Sequence, residues 1–182
     1  VSIAVAAVTA AANWFVFRWF WGTILNDPNP EFIATSLVVA LVVHELGHLV
    51  VMESNGVKTH LVFLIILGGA IPSDSKKFEG LSDHTKSLIS LAGVSGNVLV
   101  AVTAWILASA GFIDDQSAQR VIDLNGALIV FNMLPFSSLD GGRLAKTLFN
   151  STPEHLDSKM ALWAGGAILT AGFFLSAVGE YN

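Results

Sequence analysis

The sequence predicts an all-α polytopic membrane protein with five or six transmembrane segments and a small re-entrant β element after the second segment. Charged residues make up only 13% of its 182 residues and hydrophobic residues 53%, with a mean hydropathy of +0.66. A soluble domain usually carries about 25% charged residues. Apolar stretches close to the roughly 20 residues that cross a bilayer recur along the chain, so a membrane is the expected environment.

The first apolar segment covers residues 2–25 and is rich in aromatic residues at one end: Trp14, Trp19, Phe20 and Trp21. Such a cluster is typical of the lipid headgroup interface. Arg18 lies among these residues, and we expect its side chain to reach the headgroups. The turn at residues 26–30 contains two prolines, and it must interrupt the helix.

The second segment, residues 32–52, carries the most informative motif of the chain, His44-Glu45-Leu46-Gly47-His48. Two histidines four residues apart lie on the same face of a helix and can bind one metal ion. Glu45 projects about 100° from His44 around the helix, where it can serve a metal-bound water without being a ligand. Glu45 is also the one charged residue of the segment, so the motif is expected to lie inside the membrane.

The apolar stretch at residues 57–71 is rich in Val, Leu, Ile and Phe but too short for an ordinary span. We expect a strand or a re-entrant element that ends at Gly68-Gly69. Such backbone is tolerated at membrane depth only where protein or a water-filled cavity satisfies it. Residues 72–83 are polar and are predicted to form a loop.

Three further apolar segments follow, at residues 85–113, 121–134 and 159–181. The last of them is rich in small residues, which allow close helix packing. The segment at 121–134 meets Pro135, and the polar turn at residues 137–142 comes next. The fourth helix is therefore expected to be short.

A catalytic zinc site usually has three protein ligands, so a third ligand is needed beside the two histidines. The chain contains no cysteine, and Val51 and Ser54 stand where the extended motif of soluble proteins needs Gly and His. Glu53 is too close in sequence to fold back. The other histidines lie in polar or loop segments: His60, His84 and His155. Asp140 is the best remaining candidate, because Gly141-Gly142 lets the backbone turn and a buried carboxylate needs a partner.

The basic residues predict the orientation of the chain in the membrane. With the loops after the second and fourth segments on the cytoplasmic side, that side collects Lys58, Lys76, Lys77, Lys86, Arg143, Lys146 and Lys159. The opposite side keeps Arg120. The same topology brings His48 and Asp140 to a similar depth, in the cytoplasmic half of the bilayer.

Taken in order, these motifs resemble those of the site-2 protease family of intramembrane zinc metalloproteases. The matching pieces extend over most of the chain: residues 44–48, Gly68-Gly69, Gly93 with Asn97, residues 132–135 and residues 139–142. The resemblance implies an enzyme of the lipid bilayer that hydrolyses peptide bonds in or near the transmembrane helices of protein substrates. It implies one Zn²⁺ per chain, bound by His44, His48 and Asp140, with Glu45 as the general base.

Two amides and two glycines are further candidates for the substrate side of the site. Asn97 and Asn132 could donate hydrogen bonds to the substrate backbone or to the oxyanion that develops during hydrolysis. The alternative is that they hold helices together through interhelical hydrogen bonds. Gly68 and Gly69 are candidates for a substrate contact, the alternative being turn formation.

We expect one metalloprotease core domain over residues 1–182. Residues 113–122 leave no room for an inserted PDZ module, and we expect no C-terminal regulatory domain. A net charge of −5 without a basic run argues against a nucleic-acid partner. The sequence carries no signal for the oligomeric state or for the natural substrate.

Two other functions remain open from the sequence. A non-proteolytic membrane protein could keep the zinc for structure or for metal handling, but a closed structural site needs four protein ligands and three are apparent. A different membrane zincin would take Glu from a later helix as its third ligand, but no intramembrane Glu follows Glu53.

Overall fold

The structure, a computed structural model, describes residues 3–64, 67–136 and 139–149. Helix α1 continues into a π-helical turn, Phe20–Ile24, and a two-stranded sheet separates α2 from α3. In chain order the elements are α1 Ile3–Trp19, α2 Pro30–Ser54, β1 Thr59–Leu64, β2 Leu67–Pro72, α3 Ser75–Glu79, α4 Asp83–Ser109, α5 Asp115–Asn132 and α6 Asp140–Phe149.

Three of the described helices are long and apolar enough to cross a membrane: Ile3–Ile24, Pro30–Ser54 and Asp83–Ser109. The predicted mostly helical architecture with a small β element is therefore confirmed. The predicted count of five or six spans is not confirmed. Helix α5 begins at Asp115 and also carries Arg120 and Asp123, so it is more polar than the segment 121–134 suggested. The predicted span at residues 159–181 lies outside the described residues.

The helix boundaries follow from local capping. Asn29 accepts a hydrogen bond from the N–H of Phe32, and Pro30 stands at the first helical position of α2. Ser82 caps α4 in the same way, by accepting from the N–H of Thr85. The proline-rich turn after α1 therefore ends one helix and starts the next, as predicted.

Helix α2 is the centre of the fold and packs against α1, α4, α5 and both strands. One apolar core surrounds its first half, with Phe17, Trp21, Ile33, Leu37, Leu41, Phe63, Leu124 and Leu128 as its large members. Its second half lies close to α4, since a Cβ atom on Gly47 would lie only 2.7 Å from the carbonyl carbon of Ala92. Small residues allow this backbone approach.

The stretch predicted as a strand forms an antiparallel hairpin instead of a single element. Gly68 and Gly69 do not close it: they lie inside β2, opposite Phe63 and Val62. The expectation that the two glycines end the element was therefore wrong. The apolar run is long enough to fold back on itself, which places the glycines in the returning strand.

One edge of this hairpin is covered by side chains of α1. The N–H of Phe63 donates to Oγ1 of Thr9 at 3.2 Å, and Nδ2 of Asn13 donates to the carbonyl oxygen of Phe63 at 3.3 Å. These two contacts give the edge strand β1 partners that a third strand would otherwise supply.

The direction of the Phe63 backbone also defines the outer edge of β2. Because the polar groups of Phe63 point to α1, Phe63 and Gly68 form a non-hydrogen-bonded pair. The N–H and C=O of Gly68 therefore point away from β1, and by alternation those of Ala70 do as well. Hydrogen-bonded and non-hydrogen-bonded pairs alternate along an antiparallel ladder, so Lys58 and Ser73 should form a hydrogen-bonded pair. The N–H of Ser73 does donate to the carbonyl of Lys58, at 2.8 Å.

Candidate metal centre

His44, His48 and Asp140 meet in the interior of the protein. Nε2 of His44 lies 3.1 Å from Nε2 of His48, and Oδ2 of Asp140 lies 3.2 Å and 3.1 Å from these two nitrogens. All three side chains are buried. Of the residues that the structure describes, they form the one group of three or more potential metal ligands.

Each of the three ligands is brought to the group by a different local feature. His44 and His48 are one helical turn apart on α2, with their rings nearly perpendicular at 83°, so the two Nε2 atoms converge. Asp140 is the first residue of α6, directly after the turn that follows α5. Gly141 lets this helix start against that turn, because a Cβ atom there would lie 2.6 Å from the carbonyl oxygen of Leu134.

Hydrogen bonds from α4 fix the tautomers of both histidines. Nδ1 of His48 lies 2.7 Å from the carbonyl oxygen of Ile89, which can only accept, so this nitrogen carries the proton. Nδ1 of His44 lies 2.7 Å from Oδ1 of Asn97 and likewise donates. In the neutral form of each imidazole, Nε2 is therefore the unprotonated atom, and this form binds metals.

The arrangement of donor atoms fits a tetrahedral zinc ion. Ligand atoms at the usual zinc distances of about 2.0–2.1 Å lie about 3.3 Å from one another, close to the 3.1–3.2 Å separations between His44, His48 and Asp140. Oδ2 of Asp140 is buried without a hydrogen-bond partner among the described residues. A buried carboxylate oxygen facing two lone pairs is unfavourable unless a cation joins them.

Glu45 lies beside this group without belonging to it. It is buried next to both imidazoles and Asp140, and the backbone of Ala70 on β2 lies close to its carboxylate. Glu45 follows His44 on the helix, so its side chain projects from a different face, the one towards the hairpin. Glu45 therefore lies close both to the three donor atoms and to β2.

The structure gives the two candidate amides different surroundings. Asn97 is fully buried, and its Oδ1 is engaged by His44 while its Nδ2 donates to the carbonyl oxygen of Ala40 at 3.1 Å and to Oδ1 of Asn125 at 3.0 Å. Its hydrogen-bonding groups are thus used inside the protein. Asn132 is half-buried near the end of α5, where its Nδ2 donates to the carbonyl oxygen of Leu128.

The remaining sequence candidates lie elsewhere. Nε2 of His60 contacts Oγ of Ser73 across the hairpin at 2.9 Å, and His84 is exposed in the first turn of α4. His155 lies outside the described residues, as do Ser137 and Ser138 of the turn before Asp140. None of the described histidines other than His44 and His48 joins the metal-ligand group.

Two groups that orient the site were missed from the sequence. Asn125 is a lone amide on an apolar stretch of α5, and a polar residue in such a stretch is itself a signal that could have identified it. The carbonyl of Ile89 has no such signal, because every residue offers one.

Comparisons with known proteins identify related sequences. The family model of Peptidase family M50 matches residues 32–123, which include the paired histidines, the hairpin and α4. Stage IV sporulation protein FB of Bacillus subtilis is 27% identical over 114 residues, 63% of this chain and 39% of that protein. A zinc metalloprotease of Methanocaldococcus jannaschii is 28% identical over 125 residues, 67% of this chain and 35% of that protein.

The fold has a counterpart among solved structures. The site-2 protease from Methanocaldococcus jannaschii has a TM-score of 0.55 and 22% sequence identity, over 96% of this chain and 80% of that one. The chain spans less than two fifths of the length of the two curated relatives, 39% and 35%. The match of the family model, which covers half of the sequence, shows that the chain belongs to peptidase family M50 and confirms its resemblance to the site-2 proteases.

Proposed function

We propose that this chain is a zinc metalloendopeptidase that hydrolyses peptide bonds in or near the transmembrane helices of membrane-protein substrates. The observation that carries the proposal is the convergence of Nε2 of His44, Nε2 of His48 and the buried Oδ2 of Asp140 beside Glu45. Family membership supports the same reaction class. We retain the cytoplasmic half of the bilayer as the proposed depth of the site, on the distribution of basic residues.

The proposed chemistry divides between the metal and Glu45. A zinc ion held by His44, His48 and Asp140 would supply Lewis-acid activation of water and of the scissile carbonyl. Glu45 accepts the proton of the attacking water and returns it to the amine that leaves. General acid–base catalysis of this kind contributes about 10²–10⁴-fold in rate.

The outer edge of β2 is the proposed docking site for the substrate. A transmembrane helix hides its peptide bonds, so it must unwind before cleavage, and an extended segment can add to an exposed strand edge. Thr9 and Asn13 already cover the β1 edge, which leaves the side that carries the Gly68 and Ala70 backbone groups. Since Ala70 faces Glu45, a segment paired there runs past the general base. Gly69 faces β1 and is not part of this contact.

A structural or metal-handling zinc site is the less favoured alternative. A structural zinc is usually closed by four protein ligands, whereas the described residues supply three that converge. An open coordination position is what a hydrolytic site needs for water.

The test is co-expression with a panel of single-span membrane proteins, followed by mapping of the cleaved bonds. Glu45→Gln should keep one zinc per chain and abolish cleavage. Glu53→Gln, an exposed glutamate in the last turn of the same helix, is the matched control and should cleave normally. Cleavage by the Glu45→Gln protein at the wild-type rate would refute the proposed role of Glu45.

A further inference from the structure

A buried chain of hydrogen bonds connects α5 to His44. Nδ2 of Asn125 donates to the carbonyl oxygen of Val121 at 2.8 Å, and Oδ1 of Asn125 accepts from Nδ2 of Asn97 at 3.0 Å. Oδ1 of Asn97 in turn lies 2.7 Å from Nδ1 of His44. Asn97 and Asn125 both have no exposed surface, so water does not compete for these bonds.

The chemistry of the two ends gives the chain one direction. The carbonyl of Val121 can only accept, which requires the amide nitrogen of Asn125 to face it and turns Oδ1 towards Asn97. The amide of Asn97 must then donate to Asn125, and it also donates to the carbonyl of Ala40. Its oxygen consequently faces His44, so Nδ1 of His44 donates and Nε2 keeps its lone pair for the metal.

Helix α5 supplies no ligand to the metal group, yet it takes part in orienting one. Without Asn125, one of the two donors of Asn97 would be buried without a partner, which is unfavourable in a low-dielectric interior. The amide of Asn97 would then be held by Ala40 alone. Its orientation, and with it the ring of His44, would be less well defined.

We propose that Asn125 is a positioning residue for the metal centre, which fixes the amide of Asn97 and through it the ring orientation and tautomer of His44. The proposal rests on the proposed zinc function and adds to it a residue from a helix that carries no ligand. Partners that orient a ligating histidine typically change metal affinity by about 10–100-fold when they are removed. A residue one hydrogen bond further away is expected to change it by about three- to tenfold.

The experiment measures zinc affinity in detergent by competition with a chromophoric chelator, and the visible absorption spectrum after Co²⁺ substitution. Asn125→Leu removes the hydrogen bond to Asn97 and keeps a side chain of similar size. We expect zinc to bind about three- to tenfold more weakly and the Co²⁺ spectrum to change. Leu124→Ala, at a buried neighbour on α5, is the control: it should lower stability and leave affinity and spectrum unchanged.

A double-mutant cycle separates positioning from a general effect on the fold. Asn125 acts through Asn97, so in an Asn97→Leu background the further change Asn125→Leu should leave zinc affinity unaltered. Losses that simply add would overturn the proposal. If Asn125→Leu does not fold, Asn125→Ser serves instead, because the serine hydroxyl reaches the carbonyl of Val121 but not Asn97. The same loss of zinc affinity is expected.

The outcomes distinguish this inference from the function on which it rests. Wild-type affinity and spectrum in both Asn125 variants would overturn the role of Asn125 and leave the zinc enzyme standing. A wild-type chain that binds no zinc would overturn the proposed function and this inference with it.

Discussion

Gly93 of α4 lies against His44 so closely that a Cβ atom added to the glycine would be 2.7 Å from Nε2 of the histidine. The same atom would overlap Nε2 of His48. The absence of a side chain at this position therefore keeps the space in front of both ligand atoms open.

The first prediction concerns this space. Gly93→Ala should lower zinc affinity by more than about 100-fold, because the methyl group would lie within 2.7 Å of Nε2 of both histidines and displace the two rings, a larger effect than losing an outer partner. Metal analysis of the purified protein measures how much zinc remains bound. Gly126→Ala on α5 is the control, since a Cβ atom there meets no other atom within 4 Å, and this variant should bind zinc normally. Equal zinc content in the two variants would contradict the expected displacement of the two histidine rings.

The second prediction tests the distant carboxylate. Asp140→Ala should reduce bound zinc well below one per chain, because two imidazoles alone leave the ion short of its usual three protein ligands. Inductively coupled plasma analysis of the purified protein gives the ratio. Asp115→Ala, at an exposed aspartate in the first turn of α5, provides the comparison. Full occupancy in the Asp140→Ala protein would exclude this residue as a ligand.

The third prediction separates the two asparagines. Asn97→Leu should weaken zinc binding by about 10–100-fold, since the amide holds His44. Asn132→Ala should retain zinc and lower kcat of cleavage by about 10²-fold if its amide binds the oxyanion. Chelator competition and reporter cleavage are measured on both proteins. Normal zinc affinity with impaired cleavage in Asn97→Leu would instead make Asn97 a substrate contact.

The fourth prediction addresses the β2 edge. Gly68→Pro removes an outward-facing N–H, which an edge strand tolerates, so the hairpin and zinc binding should persist. KM for a membrane-embedded substrate should rise by about fivefold, the effect of one lost hydrogen bond. Gly68→Ala keeps the N–H and should behave nearly as the wild type does. Unchanged KM in the proline variant would show that the substrate does not pair with this edge.

Most of the helical fold was predictable because its signals are local. The capping residue Asn29 and the following Pro30 predict the start of α2, and the apolar runs predict α1, α2 and α4. The hairpin was predicted only as a single element. Folding the run back on itself depends on the contacts of Thr9 and Asn13 with Phe63, which no pattern within residues 57–71 encodes.

The residues of the proposed site were identified from the sequence, but the relations among them were not. His44 and His48 follow from spacing within one helix, and Asp140 was reached by elimination among the possible ligands. Asn97 was expected either on the substrate side or as a link between helices, and in the structure it is hydrogen-bonded inside the protein to Ala40, Asn125 and His44. The direction in which the amide of Asn97 points depends on which helices pack against α4. The expectation of a single core domain stays a prediction.

Spacing and hydropathy along the chain were enough to establish a membrane environment, a histidine pair on one helical face and a neighbouring glutamate, because each depends on residues within a few turns of one another. The approach of Asp140 to that pair, the hydrogen-bond partners of the two rings and the link from Asn125 were decided by the packing of α2, α4, α5 and α6. Those contacts join residues far apart in sequence, and their geometry depends on how closely the helix backbones approach at positions such as Gly47 and Gly93.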